Sequence, residues 1–388
     1  MLSYVLRRIL LMIPTIFGIM LVSFAIVQFA PGGPIDRIIA QLNNPDGGPS
    51  DRISGGGGDL TGQGQVGGDS AGVQYRGAQG LSPDFIKSLE KQFGFDRPAH
   101  ERFALMMWNY LRFDFGESYF KDVAVVDLIL QKLPVSISLG LWVTLLGYLI
   151  SIPLGIKKAI SDGSRFDLWT SGVIIIGYAI PGFLFAILLI VLFAGGSFWQ
   201  IFPLRGLGVG SWQELPDFLK AAYPAAEFQN QQPWSFLPWY WIVFDYLWHI
   251  TLPLIAMSLS AFATLTLLTK NSFLDEIRKQ YVMTARMKGL SPNQVLYRHV
   301  FRNAMLIIIA GFPGAFIGAF FGGALLIESI FSLDGLGLLG FESITNRDYP
   351  VVFGSLFIFS LIGLAVNLIS DLTYTWVDPR IDFDRRET

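Results

Sequence analysis

Six stretches of this 388-residue chain are long and apolar enough to cross a bilayer, and they are nearly empty of ionisable side chains. They lie near Ile9 to Phe29, Pro134 to Ile156, Leu168 to Ala194, Leu247 to Thr269, Ala304 to Ile327 and Val351 to Ile369. A hydrocarbon core needs about 20 helical residues at a rise of about 1.5 Å each, which every run supplies. A chain that is 52% hydrophobic with a mean hydropathy of +0.49 is too apolar for one soluble domain of this length. The expected fold is an all-α integral membrane protein with about six transmembrane helices.

The net charge is only -2, and its distribution says more than its sum. Arg7 and Arg8 precede the first run, and Lys157, Lys158 and Arg165 occupy the short second connection. In the connection after the fourth run, Lys270, Arg278, Lys279, Arg286, Lys288, Arg298 and Arg302 outnumber Asp275 and Glu276. The bias of basic loops toward the cytoplasm predicts that both termini lie there. The first run exceeds the roughly 7 to 15 residues of a signal-peptide apolar region, so it reads as a span. Cysteine is absent, which excludes disulfides and thiolate metal sites.

This divides the chain into a cytoplasmic N-terminus with the first span (1–30), an external region (31–133), a five-span core (134–376) and a cytoplasmic tail (377–388). Within the external region, 43–80 is rich in Gly, Asp, Gln and Ser and cannot bury enough apolar surface to fold alone. After it, Ser82 and Pro83 open a helix with Ile86, Leu89 and Phe93 on one face, and Gly94 closes it: a small helical cap. The external loop 195–246 carries Trp199, Trp212, Trp234, Trp239 and Trp241, residues suited to the membrane-water interface.

The cytoplasmic loop 270–303 has the clearest grammar. Leu274, Ile277, Tyr281 and Ala285 recur at helical spacing, and Gly289 supplies a helix stop. Ser291, Pro292 and Gln294 then give a cap, a first-turn proline and a capping-box glutamine, starting a second helix over roughly 292–303. Such a basic helix-turn-helix suits either docking on a partner or resting on anionic lipid.

Chemistry is scarce elsewhere. Gly335 to Gly340 reads GLGLLG but follows a span instead of a strand, so it is no dinucleotide fingerprint, and no phosphate-binding G-x-x-x-x-G-K-[ST] stretch occurs. His100, His249 and His299 show no metal spacing. No metal, cofactor, catalytic group or nucleic-acid partner is expected of this chain, and any ATP hydrolysis falls to another. Gly314, Gly318 and Gly322 fall four apart on one helix face, where another helix of this chain or of a second subunit can approach closely. The uncharged spans weigh against an ion-coupled carrier, the chief rival reading, and no acid-base cluster supports a membrane enzyme.

The residues resemble a known family, the permease subunits of binding-protein-dependent ATP-binding-cassette (ABC) importers in the dipeptide, oligopeptide and nickel group. The likeness covers nearly the whole chain: LRRILLMIPTIFGIMLVSFAIVQFAPGGP near the start, FGES at Phe115 to Ser118, KLPVSISL, HITLPLIAMSL, YVMTARMKGLS at Tyr281 to Ser291, Glu328 to Val352, and DPRI at Asp378 to Ile381. In the family's cytoplasmic signature, E-A-A, three residues, Gly, nine residues, then I-x-L-P, the first three places hold Met283, Thr284 and Ala285 and the glycine is Gly289. Met for Glu and Arg302 for Pro resemble the peptide-importer variant. SRFDLWTS, GYAIPGFLFAILLIVLFAGGS and LTKNSFLDEIRKQYV most resemble the Yej-type branch of peptide and microcin C importers.

The resemblance implies the type I importer permease fold, with a cytoplasmic coupling helix seated in a groove on the ATPase. It implies a second, homologous permease, ABC ATPase subunits or one fused double ATPase that bind ATP and Mg, and a periplasmic peptide-binding protein, all at a bacterial inner membrane. Thr284, Ala285, Gly289, Ser291, Pro292 and Val295 are then expected to couple ATPase closure to transport. Glu328, Asp334, Arg347 and Asp348 are expected near the periplasmic mouth, within reach of the binding protein or the peptide's charged ends.

Overall fold

The computed structural model describes residues 2–29, 35, 87, 96–196, 198–321 and 324–377. The Gly-rich insertion 43–80, all of the cap helix but Lys87, Gly322, and the tail beyond Val377 with its DPRI motif lie outside the described residues. The structure divides into two compact units, Met1–Tyr4, Lys132–Leu338 and Ala365–Thr388 in one, Val5–Gln131 and Leu339–Leu364 in the other.

Among the described residues, the long helices are α1 (Leu2–Phe29), α2 (Ala99–Tyr110), α3 (Val125–Ile160), α4 (Arg165–Ala179), α5 (Gly182–Phe193) and α6 (Trp239–Ile277). Then come α7 (Gln280–Met287), α8 (Pro292–Val295), α9 (Phe301–Ala310), α10 (Phe312–Phe321), α11 (Ala324–Ile330), α12 (Leu336–Asn346) and α13 (Tyr349–Val377). Five helical stretches are individually long and apolar enough to cross a membrane, and α4 with α5 makes a sixth if that bent pair is one span.

The bent pair refines the sequence reading. The third run, expected as one span from Leu168 to Ala194, is broken at Ile180 and Pro181, and α4 and α5 meet at 96°. Proline offers no amide to continue the helix and pushes its predecessor out of the helical region, and Ile180 is extended at φ -84°, ψ 120°. The fifth run is also segmented, with Gly311 between α9 and α10.

In the first unit α6 is the central post, packed against α4, α5 and α9. Its approach to α3 is close: a Cβ on Gly155 would lie 2.6 Å from Thr269 Cβ and 2.9 Å from the Thr266 carbonyl, so only glycine fits. Two apolar clusters hold this unit. Leu139 and Val143 of α3 meet Ala186 and Leu189 of α5, Ile250 and Leu254 of α6, and Ile327 and Phe331. Nearer the basic segment, Ile156 and Ala159 meet Phe273, Val282, Ala285, Val295, Val300, Ala304 and Ile308.

The second unit is knit by aromatic rings: Phe24 against Phe103 and Phe353, and Tyr110 and Phe115 against Phe357. Asp348 ties its loop down, accepting from Ser118 Oγ at 2.5 Å and from the Tyr119 amide at 3.1 Å. Side chains such as Leu10, Ile13, Trp169 and Val173 point outward, as apolar residues do when lipid rather than water surrounds the helix.

Candidate functional site

The helix stop at Gly289 is a Schellman closure. Gly289 has φ +81°, its amide donates to the Arg286 carbonyl at 3.0 Å, and the Leu290 amide reaches the Ala285 carbonyl at 3.4 Å. Two residues later Ser291 starts α8 with the capping box that its spacing foretold. Ser291 Oγ accepts from the Gln294 amide at 3.4 Å, and the Ser291 amide donates to Gln294 Oε1 at 3.1 Å. The second helix then runs without a break from α8 through a π-turn at Leu296–Val300 into α9, so the turn is rigidly joined to an apolar span.

Burial splits the six expected coupling residues. Ala285 and Val295 point inward, at 6% and 2% exposure, onto the cluster with Phe273, Val300 and Ile308, whereas Thr284, Gly289, Ser291 and Pro292 are on the surface. Beside Thr284, Met283 and Met287 are exposed one helical turn apart, giving α7 an apolar outer face. Tyr281 braces the segment: its hydroxyl donates to Glu276 at 2.6 Å and accepts from Asn303 Nδ2 at 3.2 Å. Burial, and then that bond to Glu276, push the Tyr281 hydroxyl above its ordinary pKa of 10.0.

Above this seat the first unit holds a cavity of about 520 Å³ between α3, α5, α6, α9 and α10. Val143, Met257, Leu265 and Ile327 form its apolar wall, and Thr144, Ser260 and Thr264 supply hydroxyls. No Asp, Glu, Lys, Arg or His is among the described lining residues. Gly318 lines it too, and a Cβ at Gly314 or Gly318 would meet nothing within 4 Å among the described residues. Neither glycine is occupied by another helix of the described fold.

The four charges expected at the external mouth fall into different settings. Glu328 is fully buried, accepts from Ser136 Oγ of α3 at 3.1 Å and from the Leu338 amide of α12 at 2.8 Å, and is committed to holding those helices. Asp348, at 3% exposure, is committed to Ser118 and Tyr119. Their carboxylates are structural anchors, not surface contacts. Asp334 is exposed and paired with Lys132, and Arg347 sits in a left-handed turn at φ +61°.

One cluster escaped the sequence reading: Lys158, counted there as a loop lysine, is completely buried against Asp167. The signal available was the polar series Asp167, Thr170 and Ser171, which falls on one side of α4's first turns.

A family model described as "Binding-protein-dependent transport system inner membrane component" matches residues 151–383, which takes in the capped turn and every cavity-lining residue except those of α3. The chain belongs to this family. It is 64% identical over 385 residues, 99% of both chains, to the "Peptidoglycan transport system permease protein YejB" of Agrobacterium fabrum. It is 55% identical, over 99% of this chain and all of the relative, to the "Inner membrane ABC transporter permease protein YejB" of Escherichia coli O157:H7. More distant is the "Dipeptide transport system permease protein DppB" of E. coli K12, at 29% over 98% of this chain and 99% of the relative. Membership makes it a multi-pass inner-membrane permease subunit of an ABC importer, a class that is not itself enzymatic.

Proposed function

We propose that this permease forms one half of a peptide-import pathway and receives the work of ATP hydrolysis through Gln280–Val295. The observation that carries the reading is the Schellman stop and capping box at 289–294, fixed on the apolar cluster that joins the basic segment to the cavity helices. The surface of Thr284, Met283, Met287, Ser291 and Pro292 is what a groove on an ATPase would grip, while Ala285 and Val295 seat the element from within. The bias of basic connections toward the cytoplasm supports a cytoplasmic side for this segment and for both termini.

The partners are a second permease completing the pathway, ABC ATPase subunits or a fused double ATPase that bind ATP and Mg, and a periplasmic binding protein that delivers cargo. ATPase closure shifts the pair between inward-facing and outward-facing states, which requires the ATPase to bind those states unequally. The relatives' names point to dipeptides and to peptidoglycan, so the cargo is short peptide, free or carried on a wall fragment or a microcin C-like conjugate. A cavity of hydroxyls and apolar side chains suits a passage that holds peptides weakly and leaves selection to the binding protein.

The experiment is uptake by the complete complex in proteoliposomes, with Gly289→Val as the probe. A β-branched residue at φ +81° breaks the turn. The expected result is ATP hydrolysis without peptide accumulation; unchanged uptake by a properly assembled variant overturns the coupling role.

A further inference from the structure

Three helices of the first unit converge on a buried charge network beside the stem of the coupling segment. Lys158, near the end of α3, is 0% exposed and donates to the Asp167 carbonyl at 2.9 Å, Thr170 Oγ1 at 2.8 Å and Ser171 Oγ at 2.7 Å. Those three bonds use every hydrogen of the ammonium. Asp167 Oδ1 lies 2.9 Å from the same nitrogen as an ion pair outside directed hydrogen-bond geometry. The other carboxylate oxygen, Oδ2, accepts from Lys270 Nζ of α6 at 2.7 Å and from the Gly163 amide at 3.2 Å. Lys270 also reaches Asp162 Oδ1 at 2.9 Å, and Arg278, at the end of α6, stands 3.7 Å from Asp162 Oδ2.

Burying such charges is costly unless they are paired and hydrogen-bonded, and apolar packing would hold three helices as well or better. The network is therefore a poor way to gain stability alone. What ion pairs supply is a fixed register. Lys270 of α6 and Arg278 just past its end, eight residues apart, both face the turn between α3 and α4, and α6 leads through Lys279 into α7. α4 leads the other way: past its 96° bend, Gly182 and Phe183 of α5 line the cavity.

We propose that Lys270 and Asp167, with Lys158 as the buried counter-charge and Asp162 as the outer arm, are positioning residues for the transport stroke. They lock the stem of the coupling segment to α4, so that displacement of the segment moves the bent helix and the cavity wall with it. This rests on the coupling role proposed above.

The test compares Lys270→Met, Lys270→Arg and Asp162→Asn with the unaltered permease in the complete reconstituted complex, measuring peptide uptake and ATP hydrolysis together. Asp162→Asn changes an exposed turn carboxylate, so it keeps the test informative if Lys270→Met assembles poorly. Expected is a fall of about tenfold in peptide imported per ATP for Lys270→Met. A smaller fall of the same kind is expected for Asp162→Asn, with near-normal behaviour for Lys270→Arg. If uptake and hydrolysis instead fall in step with the amount of assembled complex, at constant peptide per ATP, the network only holds the fold and the proposal is overturned. Gly289→Val, run alongside, separates the two ideas. Uncoupling by Gly289→Val with an unchanged ratio in Lys270→Met defeats the lever alone, and coupled transport in both defeats the coupling reading beneath it.

Discussion

Ser136 Oγ donates to Glu328 Oε1 at 3.1 Å and accepts from the Leu336 amide at 2.8 Å, so one hydroxyl bridges a buried carboxylate and the start of α12. Glu328 itself accepts from the Leu338 amide at 2.8 Å, and a Cβ on Gly337 would come within 3.0 Å of its carboxylate. The segment from Phe331 to Leu338 is wrapped around this side chain. Ile327, next in sequence, lines the cavity. Ser136→Ala leaves two buried polar groups short of a partner and should cost about 1 to 3 kcal/mol. A lowered Tm of the purified chain checks this, and an unaltered Tm contradicts the bridge.

Burial raises the Glu328 pKa above its ordinary 4.5, against the lowering effect of its hydrogen bonds. In the interval between 4.5 and the raised value the folded chain binds more protons than the unfolded one, so stability falls as pH rises through it. Glu328→Gln cannot ionise. The expected outcome is that Tm declines with pH from about 4.5 upward less steeply in the variant than in the unaltered chain, measured in one detergent across both pH series. Parallel slopes in the two series would place the carboxylate in water.

The capped turn at 289–294 was legible because every interaction in it spans a few residues: Gly289, Ser291, Pro292 and Gln294 state their roles by spacing alone. The spans were legible as apolar runs, although the bend at Pro181 was not read from the Ile-Pro step. Glu328 and Lys158 were not legible. Each was taken for a loop charge, because burial depends on how helices pack: Glu328 meets Ser136 far away in sequence, and Lys158 meets α4 because the chain doubles back through a short turn. Charge patterning assigns a lysine to a side of the membrane, and only packing decides whether it meets water there.

Thr284 and Ala285 are neighbours with opposite fates, which makes a matched pair for separating docking from folding. Ala285 is buried among Phe273, Val282 and Val295, so Ala285→Leu overfills the cluster and should cost about 1 to 3 kcal/mol. Thr284 is exposed, so Thr284→Glu should alter stability by no more than about 0.5 kcal/mol. It should nonetheless weaken retention of the ATPase. Thermal melts and ATPase co-purification, measured on both variants, should give opposite patterns; equal losses of Tm would remove the distinction.

Gly314 and Gly318 remain open to a partner. Both are exposed, one helical turn apart, with no described residue within 4 Å of the Cβ each lacks, although Gly318 also borders the cavity. In the pairing proposed above, close approach of the second permease through this stripe would need the small surface, because association in lipid depends on packing contacts rather than on the hydrophobic effect. Gly314→Leu should therefore leave the stability of the isolated chain, read from its Tm, within about 1 kcal/mol of its starting value, since the added side chain enters open space among the described residues, and Leu in place of Gly favours the helix. The same change should reduce recovery of the second permease in pull-downs. Gly318→Leu should reduce uptake even where recovery is unchanged, because its side chain also projects toward the cavity. Full assembly and full transport in Gly314→Leu would assign that glycine to lipid and leave the interface elsewhere.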